Sequence, residues 1–149
     1  CAPCRGSATV SRYVVDASVA VKWFVPEVHT DASRRLLEEG HELVAPDLLL
    51  PEVGNIIWKK IRLTEVTLDE GREILRALLA VPFALHPSET LLEPAFEIAN
   101  GINRSVYDSL YLALAHLQNC RMVTADRRLH DVVHTGPFSD SIRWVEDEL

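Results

Sequence analysis

The chain has 149 residues, 48% of them hydrophobic and 25% charged, with a formal net charge of −7. Those values suit one domain with a substantial core. They exclude disorder, and apolar runs such as Val44 to Pro51 are far too short for a membrane-spanning helix. The acidic balance excludes nucleic-acid binding by overall charge alone, so any contact with a phosphate backbone must be local or carried by bound cations.

Residues 1–11 have no periodicity and read as a disordered or vector-derived end, leaving residues 12–149 as a single domain. Cys1 and Cys4 form a C-x-x-C, but no second pair or nearby His completes a zinc site, and Cys120 reads as a small core residue. No long apolar stretch follows a basic start, so a soluble cytoplasmic protein is expected.

The first strand is expected over Arg12 to Val15, ended by Asp16, and a helix over Ala17 to Val25 is closed by Pro26. A second helix spans Thr30 to Glu39, with Gly40 as its cap. Glu42 to Ala45 reads as a strand. The next helix, Asp47 to Leu63, carries Leu49, Val53, Ile56, Ile57 and Ile61 on one stripe and tolerates Pro51 in its first turn. Thr67 and Glu70 form a capping box for a helix burying Ile74, Leu75, Leu78 and Leu79. Val81 to Leu85 is an expected strand, and Ser88 caps a helix ended by Gly101. Val106 to Asn119 is the clearest helix, with Leu110, Leu114 and Leu117 on one side. A strand over Arg121 to Thr124, a short helix over Arg127 to His134, a loop over Gly136 to Ser141 and a strand over Ile142 to Val145 complete the domain. Glu146, Asp147 and Glu148 read as a solvated tail. Strands alternating with helices predict an α/β fold: a three-layer α/β/α sandwich around a mostly parallel sheet of four to five strands. In such sheets, ligands bind beyond the carboxyl ends of the strands.

Two acids fall there. Asp16 follows the strand Tyr13-Val14-Val15, and Asp126 follows Met122-Val123-Thr124 by one residue. Two further acids are out of place for pure packing. Glu52 interrupts the apolar segment Leu48-Leu49-Leu50-Pro51-Glu52-Val53, and Asp108 lies in the first turn of the strongest helix. Singly, each has a simpler explanation. Asp16 and Asp126 can cap the helices that follow them, and the helix macrodipole favours Asp108. Glu52 is harder to dismiss, because a carboxylate among Leu and Val is costly if buried. Grouped carboxylates repel one another, and a divalent cation such as Mg2+ or Mn2+ supplies the compensation while keeping several waters. Such an ion also lets an acidic protein attract a polyanion. Ser18 and Thr124, two residues after Asp16 and two before Asp126, are supporting hydroxyls with equally good local roles, and Asn55, one turn from Glu52, is placed to share its face.

Val14-Val15-Asp16-Ala17-Ser18, Pro51-Glu52-Val53, Tyr107-Asp108-Ser109-Leu110-Tyr111-Leu112-Ala113 and Val123-Thr124-Ala125-Asp126 resemble the four motifs of PIN domains. They are most similar to the VapC-type toxin ribonucleases of bacterial and archaeal toxin–antitoxin pairs, over about Arg12 to Val145. The resemblance implies a PIN-like α/β/α fold and Mg2+- or Mn2+-dependent endoribonuclease activity on RNA phosphodiesters. Asp16, Glu52, Asp108 and Asp126 take the acidic catalytic and metal positions. Asp16 and Asp108 would be the central ligands, Asp126 a second-metal or water-orienting residue, and Glu52 a direct or water-mediated ligand. Thr124 matches the hydroxyl residue common before the last acid. The resemblance also implies a homodimer and a small basic antitoxin. No cofactor beyond the metal is expected.

Weaker signals are the basic knot Lys59, Lys60 and Arg62, and Arg127 with Arg128 beside Asp126. Either could touch RNA phosphate or form ordinary surface. His130 and His134 have metal-ligand spacing without an HExxH pattern, and Trp23, Trp58 and Trp144 suit core or interface better than base stacking. The rival functions are a non-catalytic PIN-like domain that binds RNA or protein, and a phosphatase using an Asp nucleophile. For the latter, haloacid-dehalogenase-like enzymes require a second Asp where Ser18 stands.

Overall fold

The computed structural model describes residues 11–149. The C-x-x-C and the N-terminal end assigned to residues 1–11 therefore lie outside the described residues, apart from Ser11. Its carbonyl accepts from the Glu42 amide at 2.9 Å, so the sheet begins one residue earlier than its first strand.

Five strands form one parallel sheet in the order β3-β2-β1-β4-β5: β1 (Arg12–Val15), β2 (Glu42–Pro46), β3 (Ala84–His86), β4 (Arg121–Thr124) and β5 (Ile142–Trp144). Helices cover its faces in a three-layer arrangement: α1 (Ala17–Ala20), α2 (Thr30–Glu38), α3 (Leu49–Arg62), α4 (Leu68–Ala80), α5 (Ser88–Ile102), α6 (Val106–Leu117) and α7 (Arg127–His134). Val14, Val15, Val44, Ala45, Met122 and Val123 are all at most 2% exposed, as strands sandwiched between helical layers must be. α6 is buried from Ser109 to Ala115, packs on β1, β2 and β4, and carries α5 on its outer side. Among the described residues no helix is long and apolar enough to cross a membrane.

The chain leaves β1 for β2 on one side, while β4 pairs with β1 on the other. The carboxyl ends of β1 and β4 therefore flank the point where strand order reverses, and the crevice of such folds opens there.

Several local expectations are corrected. The helix after β1 tightens at Val21–Trp23 into a 3-10 turn instead of continuing to Val25. α5 runs through Gly101, the expected stop, to Ile102, and is capped by Asn103 in the left-handed conformation (φ 54°). The expected β3 begins at Ala84, because Val81 to Phe83 leaves α4 through a tight turn. Leu75 and Leu79 lie exposed on α4, and Leu117 is exposed at the end of α6; helical spacing marks an apolar stripe but not what covers it. The acidic end is tied down: Glu146 meets His29 at 2.6 Å, and the Asp147 carboxylate accepts from the Trp144 amide at 3.3 Å.

Candidate active site

Asp16 ends β1 and starts α1 in one residue. Its Oδ1 accepts from the Val19 amide at 3.1 Å, which caps the helix, and from the Ser18 hydroxyl at 2.5 Å. Its Oδ2 accepts from the Thr124 hydroxyl at 2.6 Å, across the β1–β4 pair. Both supporting hydroxyls also work as acceptors: Ser18 Oγ receives the Ala125 amide at 3.0 Å and Thr124 Oγ1 the Asp126 amide at 3.0 Å. These four bonds lace the end of β1 to the end of β4. Ser18 and Thr124 thus both donate to the Asp16 carboxylate, and Thr124 also serves the local Asp126 amide. Burial dominates the charge state of Asp16. Desolvation lifts its pKa from 3.8 to about 6, against the hydrogen bonds from Ser18, Thr124 and Val19, and the Asp126 charge adds to the rise.

Asp126 likewise combines capping with exposure to the crevice. Its Oδ1 accepts from the Leu129 amide at 3.1 Å at the start of α7, and its Oδ2 stands 3.5 Å from the Arg104 guanidinium. Asp108 sits in the first turn of α6, whose cap is Ser105, and faces the same guanidinium at 3.0 Å. Asp16 and Asp126 thus each commit one carboxylate oxygen to a helix amide and turn the other inward. Capping therefore leaves the second oxygen of each carboxylate free to serve a site.

Glu52 lies in the first turn of α3. The Tyr111 hydroxyl, one turn beyond Asp108 on α6, donates to Glu52 Oε1 at 2.8 Å. Burial raises the Glu52 pKa, opposed by the Tyr111 bond and reinforced by Asp108. Burial also raises the Tyr111 pKa, as do the charges of Glu52, Asp16 and Asp108 together. Asp16 with Asp126, and Glu52 with Asp108, therefore lie within electrostatic reach, and Tyr111 feels Glu52, Asp16 and Asp108. Asn55 does not join them and is exposed.

Among the described residues, no three Asp, Glu, His or Cys side chains stand as a ready-made metal cluster. Their oxygens are engaged by other partners. Asp16 has its oxygens spread over three donors, while Asp108 and Asp126 are drawn to a guanidinium. The donor set still fits a hard divalent ion: it offers only oxygen, it carries surplus buried negative charge, and a cation already stands between two of its members. Arg104 and Tyr111 were not assigned roles from sequence. Arg104 stands four residues before Asp108, and Tyr111 three after it within the same motif.

The weaker candidates separate. Arg127 lies with its guanidinium carbon 3.9 Å from the centre of the Trp144 ring, beside Asp126. Lys60 pairs with Glu27 and Glu65 at 3.4 Å each. Trp23 and Trp144 are buried and Trp58 is exposed. His130 stacks on His134 with ring centres 5.0 Å apart, and its nearest acid is the adjacent Asp131 at 3.6 Å.

The PIN-domain family model matches residues 13–134, and the chain belongs to that family. Its relatives are named as VapC ribonucleases. Ribonuclease VapC3 of Pyrobaculum aerophilum is 34% identical over 120 residues, covering 79% of this chain and 92% of that protein. Ribonuclease VapC9 of Mycobacterium tuberculosis is 32% identical over 118 residues, covering 79% and 88%. Among solved structures, PAE2754 from Pyrobaculum aerophilum superposes with a TM-score of 0.69 at 25% identity, over 91% of this chain and 85% of that one. Mycobacterium tuberculosis VapC20, described as a toxin cleaving the sarcin-ricin loop, superposes with a TM-score of 0.63 at 14% identity, over 80% and 93%. This last likeness is one of fold.

Proposed function

We propose that this protein is an endoribonuclease that hydrolyses RNA phosphodiesters with Mg2+ or Mn2+, and that it is the toxin of a toxin–antitoxin pair. The observation that carries the reading is the gathering of Asp16, Glu52, Asp108 and Asp126 from four segments at the strand ends, with burial raising the pKa of Asp16 and Glu52. Relatives named as ribonucleases support the substrate class. Nothing in the site favours the alternative of a domain that only binds, for which buried and mutually repelling carboxylates are a cost without a return.

Asp16 and Asp108 would be the central ligands, Asp126 a ligand to a second ion or the group that orients water, and Glu52 a ligand directly or through water. A divalent ion held there would polarise the phosphodiester and neutralise charge developing in the transition state. The chain does the rest. Ser18, Val19 and Thr124 use three of the roughly four acceptor positions of the Asp16 carboxylate, which fixes its plane and leaves one direction open. Tyr111 fixes Glu52, and the α7 amide of Leu129 fixes Asp126. A water oriented by Asp126 would attack phosphorus in line, displacing the 3′ oxygen, so no Ser, His or Cys nucleophile is needed.

The net charge of −7 suits a small basic antitoxin, and exposed apolar residues such as Leu92 and Phe96 on α5 suit a homodimer. The reading is tested with Asp108→Asn, which removes a half-exposed charge and should fold normally. Cleavage of RNA in Mn2+ should vanish while the melting temperature stays within a few degrees. Cutting at the wild-type rate would sink the assignment.

A further inference from the structure

Among the described residues, Arg104 is the one cation paired with two of the four carboxylates. Its guanidinium lies 3.0 Å from Asp108 Oδ2 and 3.5 Å from Asp126 Oδ2, and its Nε donates to the same Asp108 oxygen at 3.2 Å. The chain is built to put it there. Asn103 ends α5 in the left-handed conformation, and Ser105 caps α6, so Arg104 is the hinge residue between the two helices and precedes Asp108 by one helical turn. Its side chain is 24% exposed, and those of Asp108 and Asp126 are 31% and 40% exposed. The contact is thus shielded enough to matter and open enough to be displaced from solvent.

A guanidinium and a hydrated divalent ion satisfy the same need, which is positive charge between carboxylates. They cannot both lie between Asp108 and Asp126. We infer that Arg104 is a built-in counter-cation: it holds these two carboxylates together in the metal-free protein and must swing aside when a divalent ion takes them over. The inference rests on reading these acids as a metal centre. It adds that the protein carries its own competitor for that centre, so that metal affinity is set below what the four carboxylates alone would give. Arg104 is in this sense a positioning residue that acts through Asp108 and Asp126. Its planar fork suits the bridging role, whereas a lysine offers one compact charge. The hinge position supplies the freedom, because turning the side chain outward breaks no backbone hydrogen bond of α5 or α6.

The test is Mn2+ binding by calorimetry to the full chain, comparing wild type with Arg104→Gln and Arg104→Lys. Removing the charge should tighten Mn2+ binding about three- to tenfold, with Arg104→Lys in between. The metal-free melting temperature of Arg104→Gln should fall and be restored by saturating Mg2+. A residue that merely braced the fold would lower the melting temperature without tightening metal binding. Equal or weaker Mn2+ affinity in Arg104→Gln would overturn this inference while leaving the metal-centre reading intact. Absence of Mn2+ binding in wild type and variants alike would overturn both. Should the variants fail to fold, the wild-type protein answers by itself. On addition of diamagnetic Mg2+, the Nε–H resonance of Arg104 should move from its ion-paired to its solvated position, and a resonance that stays fixed through saturation would overturn the inference equally.

Discussion

The Thr124 hydroxyl donates to Asp16 Oδ2 at 2.6 Å, joining residues 108 positions apart in the chain at the ends of two adjacent parallel strands. Thr124 Oγ1 in turn accepts from the Asp126 amide, so one side chain holds one acid and the backbone of another. Replacing it by an isosteric apolar group removes both bonds and keeps the shape. Thr124→Val should cost about 2 kcal/mol in urea unfolding and depress RNA cleavage more than tenfold, since a buried carboxylate and an amide both lose a partner. A variant as stable and as active as wild type would show that the lacing between β1 and β4 is dispensable.

The raised pKa of Asp16 makes a pH prediction for the metal-free protein. In the unfolded chain the carboxyl ionises near 3.8, and in the fold near 6. Between these values the unfolded chain gives up its proton while the folded chain retains it, so Asp16 makes the fold progressively less stable as pH rises from about 4 to about 6, with no further loss above. The full cost is about 3 kcal/mol at neutral pH. Asp16→Asn cannot ionise, though it loses part of the hydrogen bonding. In EDTA, its stability relative to wild type should therefore improve by about 2 kcal/mol between pH 4 and pH 7. A difference that is constant with pH would mean that the buried carboxyl ionises normally.

Tyr111 makes a prediction for the other buried acid. Its bond to Glu52 favours the ionised form against burial and the Asp108 charge. Tyr111→Phe should push the Glu52 pKa higher still and shift the acidic limb of the cleavage rate towards higher pH, with a stability loss of about 1 kcal/mol. The measurement is the pH dependence of kcat/KM in Mn2+. An acidic limb that does not move would place Glu52 outside the ionisation that limits cleavage.

The exposed residues of α5 make a prediction for assembly. Leu92 and Phe96 are 53% and 57% exposed, so Leu92→Glu with Phe96→Glu should leave the fold intact. If α5 contributes to a homodimer, the double variant should run as a monomer in light scattering where wild type runs as a dimer. Identical masses would move the contact elsewhere or remove it.

Much of the local structure was legible because it depends on neighbours in the chain. Thr67 caps α4 through the Glu70 amide and Asp126 caps α7 through the Leu129 amide, both by side chains three residues from the amide they satisfy. The helix end at Asn103 was misread because Gly101 offered the conventional signal, although asparagine also tolerates the left-handed conformation. Leu75 and Leu79 were misread as buried because a heptad-like spacing records which residues share a face, not whether the fold supplies a partner for that face.

The sequence by itself determined the alternation of strands and helices, the parallel sheet and the four acids in their order, since periodicity, capping and motif spacing are local and survive in one dimension. Tertiary structure alone decided which oxygen of each acid is spent and on what. Asp16 receives Thr124, Glu52 receives Tyr111, and Arg104 stands between Asp108 and Asp126. Those choices follow from the pairing of β1 with β4 and the packing of α6 on the sheet. A hydrogen bond depends on ångström distances between atoms far apart in the chain, and no local pattern encodes them.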